Sequence, residues 1–565
     1  MAGPGDPFEE TQAAISLLRA ELGIDFVLAR RLIRALLDDS AVQSANTLVE
    51  STGIPYRRVL ELLRALGIEA VNGLVEVAPD RRRALGAAVM DAPRADPPTQ
   101  LRPSPDPMSV IEALAAGLPP AAGDLDHVAA TPQTIMRRAD YLRATYELAG
   151  ARVVCLGDHD LMSVATALVA PAAAVSVVDI DERILRYLGV ASDRLELGLR
   201  LHSGDLRLGL PRSLRGSADL VFADPPYTEE GIALFVDRGI EALAERPGAR
   251  VVFCYGANDR GAGQLLAIQG LLHRRHLVLE AVLPGFNRYR GAHAIGATST
   301  LWVCRPTRRT RPAVASERAA RRAEGRIYSR GGASRQSGSP GLDPSVLQLV
   351  AGETGAGPVL TVGEGLELGP QATYQPLADL LDAATELPHP GAAHPAAPTV
   401  AVNLHPFYGD SLLRVLLAAP PECRLVIVAP RRSLAAINDE RRRLVEARWR
   451  LGAPSTGDPA VLVAEPVAAG QLGPAASLLR YLQEHQAALL RNAWREGLVQ
   501  LASRQASPIT KNQARALIAA TSMRPAELDA HLLELPADRL AHLVGEVEAV
   551  AGQLGLTPPP EGTEG

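Results

Sequence analysis

The chain has 565 residues, 47 % hydrophobic and 21 % charged, with a formal net charge of −5. That length predicts several domains, each able to bury a core, and the acidic balance argues against bulk attraction to nucleic acid or an anionic membrane. Four scattered cysteines with no CxxC pair, an N-terminus without a charged and then apolar leader, and no uncharged stretch of bilayer length predict a cytoplasmic, metal-free protein with no membrane partner.

Residues 8–88 carry apolar positions at helical spacing (Leu17, Leu18, Leu22, then Leu32, Ile33, Leu36). Ser44–Thr52 and Tyr56–Leu66 read as helices around the Gly53-Ile54-Pro55 turn, and Val71-Asn72-Gly73-Leu74 reads as a hairpin. This order predicts a winged helix. Arg57, Arg58 and Arg64 are what a DNA reader would present, but Glu61, Glu69 and Glu76 interrupt that surface. A dimerisation or lid role is the alternative, and nucleic acid is not the favoured partner.

Residues 89–124 read as a linker with a helical approach from Met108 to Ala116. Across 125–305 the pattern becomes α/β. Short apolar runs at Val153–Leu156, Ala174–Val178, Leu220–Ala223, Val251–Cys254, Leu277–Leu283 and Thr300–Cys304 alternate with helices, as in a doubly wound, Rossmann-like domain. Residues 306–344 read as a basic flexible linker, since 305–340 holds ten arginines and only two glutamates and cannot bury a core. Residues 345–468 repeat the α/β pattern in degraded form. Val359–Gly365 parallels the run at 153–158, and Thr399–Leu404 with His405-Pro406-Phe407-Tyr408 parallels the run into Asp224-Pro225-Pro226-Tyr227. A second, degenerate Rossmann-like lobe is expected there, followed by a helical C-terminal domain over 469–558.

The chemistry concentrates where strands end, the edge at which open α/β sheets bind ligands. Gly157 frees the turn after the first strand, without the full GxGxxG fingerprint of a dinucleotide site. Asp158 and Asp160 place two carboxylates at the cleft mouth and suit a sulfonium or ammonium ligand; helix capping by Asp160 is the plainer alternative. Asp179 ends the second strand where ribose hydroxyls are usually held. Asp181 is a second candidate or a cap for the next helix. Asp205 is placed to accept from an adenine amino group. Asp224-Pro225-Pro226-Tyr227 is the most specific segment: the prolines fix the strand exit, and the Tyr227 ring offers a face to a cation or base. Glu229 and Glu230 add negative charge, and Phe286-Asn287-Arg288-Tyr289 is placed along the same cleft.

The stretch up to residue 305 resembles the branched-chain polyamine synthases, the bis(aminopropyl)spermidine synthase family. The matching pieces are Thr131-Pro132-Gln133-Thr134 with Arg137-Arg138, Gly157-Asp158-His159-Asp160-Leu161, Val178-Asp179-Ile180-Asp181-Glu182-Arg183, Asp224-Pro225-Pro226-Tyr227-Thr228 and Asn287-Arg288-Tyr289-Arg290-Gly291. The resemblance implies a methyltransferase-type fold and transfer of an aminopropyl group from decarboxylated S-adenosylmethionine, a co-substrate, to a polyamine nitrogen, with no metal. His159 stands where the family has an aspartate. On this reading Asp158, Asp160, Asp224 and Tyr227 are catalytic, with Asp160 as proton acceptor. Gly157, Asp179, Asp181, Asp205 and Pro225 hold the donor, and His159, Glu229, Glu230, Asn287 and Tyr289 face the acceptor. An S-adenosylmethionine-dependent N-methyltransferase and a non-catalytic regulator sensing a nucleoside remain as alternatives. A homodimer is one assembly compatible with the sequence.

Overall fold

The computed structural model describes residues 6–38, 42–90, 106–246, 248–256, 261–290, 297–320, 327–328, 341–355, 359–369, 372–382, 398–505 and 507–554. At the N-terminus, helices Pro7–Leu22, Phe26–Leu37, Ala45–Thr52 and Tyr56–Ala65 precede a hairpin of Ala70–Val71 and Leu74–Glu76, and Pro79–Met90 closes the unit. Val42–Ser44 pairs with the hairpin in a three-stranded antiparallel sheet. Asn72 and Gly73 both take positive φ at its tip, the conformation an Asn-Gly turn favours. Among the contacts that tie this unit to the neighbouring α/β domain, Glu147 N–H donates to the Ile24 carbonyl (2.9 Å), Arg30 pairs with the Glu147 carboxylate, and Arg250 pairs with Asp25 (3.3 Å).

The central sheet has seven strands: β1 (Arg152–Leu156), β2 (Ala174–Asp179), β3 (Arg200–Ser203), β4 (Leu220–Ala223), β5 (Arg250–Tyr255), β6 (Val278–Arg288) and β7 (Thr298–Arg305). Their spatial order is 3-2-1-4-5-7-6, with β7 antiparallel to both neighbours. Helices cover both faces. Along β1, Val153 and Cys155 pack against α1 (Pro132–Thr145), α2 (Met162–Val169) and α3 (Glu182–Leu195). Val154 and Leu156 pack on the other side against α4 (Glu229–Ala242) and α5 (Gly261–Arg274). Burial on both faces explains why these strands read as unbroken apolar runs.

Two expected linkers contain ordered, packed elements. Pro107–Gly117 is a helix whose Val110, Ile111 and Leu114 enter the central core. In the arginine-rich segment, α6 (Thr310–Ala320) buries Val314, and Glu317 pairs with the buried Arg275. Arginine content hid this helix, whose Arg311 pairs with Glu245 and whose Glu317 pairs with Arg275. Residues 321–326 and 329–340 lie outside the described residues.

A second sheet comes next in the chain: β8 (Val359–Val362), β9 (Ala372–Gln375), β10 (Thr399–Asn403), β11 (Arg424–Ala429), β12 (Trp449–Leu451) and β13 (Ala460–Pro466). Its order is 9-8-10-11-13-12, parallel up to β11 and antiparallel beyond. Matching β8 to β1 and β10 to β4 reproduces the first sheet without its third strand. The C-terminal helices Pro474–Glu484, Leu490–Arg504, Lys511–Ala519 and Ala537–Gln553 share one core with this sheet, centred on Trp449 and Trp494. All four cysteines are buried and free, and among the described residues no helix is long and apolar enough to cross a membrane.

Gly231, in the first turn of α4, fixes the exit from β4. A Cβ there would lie 2.7 Å from the Pro226 carbonyl oxygen, 2.9 Å from Thr228 Oγ1 and 3.1 Å from Pro226 Cβ. Gly231→Ala is therefore expected to push the Pro226–Thr228 turn outward and cost about 1–3 kcal/mol; denaturant unfolding beside the wild type checks this.

Candidate active site

A cavity of about 510 Å³ opens at the carboxyl ends of β1, β2, β3 and β4. Six aspartates line it: Asp126, Asp158, Asp160, Asp179, Asp205 and Asp224. No arginine or lysine does, among the described residues. Gly157, Pro225, Tyr227, His159 and Tyr289 complete much of its wall, with Tyr328 closing one side. Gly157 takes φ +70° and Leu161 φ +57°, so the β1–α2 turn is held in a conformation a leucine rarely adopts.

Asp158 holds that turn. Its carboxylate accepts from Met162 N–H (2.7 Å) and Ser163 N–H (3.2 Å) and from the Ser163 hydroxyl. The capping role foreseen for Asp160 thus belongs to Asp158. Burial raises Asp158 to about 8, with the Ser163 bonds opposing. Asp179 accepts from the Asp158 N–H (2.9 Å) and the Asp181 N–H (2.8 Å), and burial lifts it to about 6.

The centre of the site is Arg138, on α1, which is 1 % exposed. Its Nη1 donates to Asp160 (2.8 Å), its Nη2 to Asp224 (2.7 Å) and to the Tyr289 hydroxyl (2.9 Å), and its Nε to the Asn287 side chain (2.8 Å). Burial works against ionisation of Asp160, but Arg138 and the Ala130 N–H (2.9 Å) outweigh it and hold the group below the ordinary carboxylate range. Asp224 behaves oppositely. Burial, together with the neighbouring Asp160, raises it to about 7 although Arg138 opposes. Two carboxylates sharing one cation cannot both ionise cheaply. The Tyr227 hydroxyl donates to Asp224 (3.0 Å) and Tyr289 donates to its other oxygen (2.7 Å), so Asp224 is aimed by a pair of phenols.

Arg138 stands in the sequence beside Arg137, within a segment already matched by resemblance, yet its role was missed. A helical arginine well ahead of the strand that begins at Arg152 carries no local sign that its guanidinium is buried.

Several candidate residues lie elsewhere. Glu229 and Glu230 begin α4 outside the cavity wall; Glu229 faces Arg274 (3.8 Å) at the surface. Carboxylates favour helix N-termini for dipole reasons alone. Asp181 caps α3 through the Arg183 N–H (2.9 Å), pairs with the Arg183 side chain (2.7 Å) and lines a neighbouring cavity instead. Asn287 is fully buried behind the site, donating to Ser299 (2.8 Å), and acts on Arg138 rather than on the cavity. Asp205 reaches the wall, but Arg207 occupies much of its carboxylate. His159 also reaches the wall, its ring stacked on His127 at 4.6 Å; burial holds both imidazoles below their ordinary pKa. On the N-terminal unit, Arg57 and Arg58 both pair with Glu61 (3.2 and 3.0 Å), which weakens a phosphate-binding face. Among the described residues no His, Cys, Asp and Glu cluster could hold a metal ion.

Residues 108–322 match the family model of the branched-chain polyamine synthase A C-terminal domain. Among curated relatives, an uncharacterized protein of Methanocaldococcus jannaschii is 36 % identical over 175 residues, 31 % of this chain and 44 % of that one. The N(4)-bis(aminopropyl)spermidine synthase of Thermococcus kodakarensis is 32 % identical over 173 residues, 30 % of this chain and 49 % of that one. The matched stretch thus spans less than half of each of these relatives. Among solved structures, the Thermus thermophilus branched-chain polyamine synthase in complex with N4-aminopropylspermidine and 5'-methylthioadenosine aligns at TM-score 0.32 and 23 % identity, covering 54 % of this chain and 94 % of that one.

The crowded carboxyls give the ligand-free protein a defined pH response. A carboxyl with a raised pKa binds its proton more tightly folded than unfolded, so stability falls as pH rises through the shifted value. The lowered His127 and His159 act in the opposite sense below about pH 6.5, which leaves Asp224 and Asp158 dominant between about pH 6.5 and 8. Calorimetric melting is expected to show a falling midpoint across that window, with a smaller fall in Asp224→Asn. A flat profile would remove the crowding.

Proposed function

We propose, from the match of residues 108–322 to the branched-chain polyamine synthase family model, that this chain transfers an aminopropyl group from decarboxylated S-adenosylmethionine to a nitrogen of a linear polyamine. The observation that carries this reading is a cavity wall that holds six aspartates and, among the described residues, no arginine or lysine, which suits a substrate pair bearing a sulfonium and several ammonium groups. Gly157, Asp179, Pro225 and the Asp205 wall form the donor side, and Asp158, Asp160 and Asp224 the side that receives ammonium groups.

In the transfer, the acceptor amine attacks the carbon bonded to the sulfonium sulfur. The C–N bond forms as the C–S bond breaks, and sulfur keeps the electron pair to leave as a neutral thioether. The amine must first be uncharged, and its proton must go to a nearby base. We assign that role to Asp224 rather than Asp160. Asp224 titrates near neutrality, where a base is most effective; Asp160 is held ionised and oriented by Arg138 and Ala130. Tyr227 and Tyr289 aim the Asp224 carboxylate and offer ring faces to a cation. Alignment of the two reactants supplies much of the acceleration. No step calls for a metal.

The other layers of the chain fit the same reading. The N-terminal unit over 8–88 has the element order of a winged helix and serves as a dimerisation or lid module. The sheet over 345–468 is a degenerate copy of the catalytic domain, and 469–558 is its helical companion.

Incubation with a linear polyamine and, separately, the decarboxylated or the ordinary donor is expected to yield an aminopropylated product with the first only, identified by mass. A methylated product from the second would instead establish a methyltransferase. Asp224→Asn should lower kcat by ~10²–10⁴-fold while changing the donor KM little; an unchanged kcat would remove Asp224 as the base.

A further inference from the structure

The loop leaving β3 forms one wall of the cavity through Gly204, Asp205 and Leu206. Its near end is closely packed: a Cβ on Gly204 would lie 2.9 Å from Val178. What fixes the far end of this loop is Arg207, 7 % exposed. Its Nε donates to one Asp205 oxygen (2.9 Å) and its Nη2 to the other (2.6 Å). The same Nη2 donates to the Phe407 carbonyl in the second lobe (2.8 Å), and the guanidinium lies 4.9 Å from the Tyr408 ring centroid. On its other side, Tyr328 of the cavity wall sits 5.8 Å away.

Phe407 and Tyr408 follow β10 much as Pro226 and Tyr227 follow β4, one residue further from the strand end. In the first lobe that exit segment faces a cavity. In the second it is turned against the first lobe, and Gly409 beside it packs so that a Cβ would lie 3.1 Å from Pro430, leaving no room for a side chain. The segment is a rigid abutment.

We infer that the second lobe is a buttress of the nucleoside-binding wall, with Arg207 as the positioning residue that transmits its hold on Phe407 and Tyr408 to Gly204, Asp205 and Leu206. This rests on the donor side of the cavity proposed above and adds to it a requirement for the C-terminal half of the chain. A guanidinium suits the task because its planar fork bonds a carboxylate and a carbonyl together while its face stacks on rings. A lysine would keep the charge and lose the fork.

The test uses the full chain and 5'-methylthioadenosine as probe, with Arg207→Lys and Tyr408→Leu measured by calorimetric binding and by donor kinetics. Tyr408→Leu alters only the second lobe, so it serves also if the Arg207 variant fails to fold. Both are expected to weaken methylthioadenosine by ~10-fold, the range of a hydrogen bond to a charged group for Arg207→Lys and of a desolvated cation–π contact for Tyr408→Leu, and to raise the donor KM. The acceptor KM and kcat should stay within about twofold. Wild-type affinity in a folded Tyr408→Leu, or a kcat loss at constant donor KM, would overturn the inference. If the wild type binds the probe but transfers nothing from the decarboxylated donor, the proposed function fails while the affinity readout still decides the buttress. If the wild type does not bind the probe, both fall.

Discussion

One buried guanidinium organises the domain that holds the aspartate-lined cavity. Arg138 joins partners 22, 86 and 149 residues away in the chain, so the exits of β1 and β4 and the β6–β7 hairpin cannot move independently. A charge this deep is tolerated only when its donors are satisfied. Here two carboxylates, a phenol and an amide oxygen meet them. The arrangement also leaves a deficit, since two carboxylates share one cation. Asp160 takes the ionised share, and Asp224 is left with a strong appetite for a proton or for a second cation.

That deficit links fold to chemistry. The remaining wall carboxyls deepen it: Asp158 and Asp179 are raised by burial even though backbone N–H groups bond them. Such a cavity is poorly disposed toward anions, while each ammonium or sulfonium entering it lowers the cost of the carboxylates already there. On the proposed function, binding energy from the non-reacting nitrogens of a polyamine can go toward stripping a proton from the reacting one, which is otherwise protonated near neutrality.

The sequence discloses some of this design. Parallel strands with both faces buried announce themselves as apolar runs, and Asp-Pro-Pro-Tyr at the end of one is legible because rigid backbone, carboxylate and phenol occupy consecutive positions. The second lobe is legible as a repeat because the strand-exit pattern survives where its acids do not. Other features are not local. β3 escaped notice because Arg200 and His202 give it a half-polar face. Glu229 and Glu230 look like cavity charges, yet they sit in the first turn of α4, outside the cavity wall. Asp158 and Asp160 differ only in which backbone groups their turn presents. Arg138, Asn287 and Arg207 owe their roles to partners far along the chain, and no window of sequence displays such contacts.

The carboxylate deficit is most directly read by the protons that a cationic ligand displaces. Calorimetric titration of the full chain with a linear polyamine near pH 7, repeated in buffers of different ionisation enthalpy, reports that number. Net release of protons on binding is expected, reduced in Asp224→Asn. Binding with no exchange, or with uptake, would contradict a cavity whose acids await a cation.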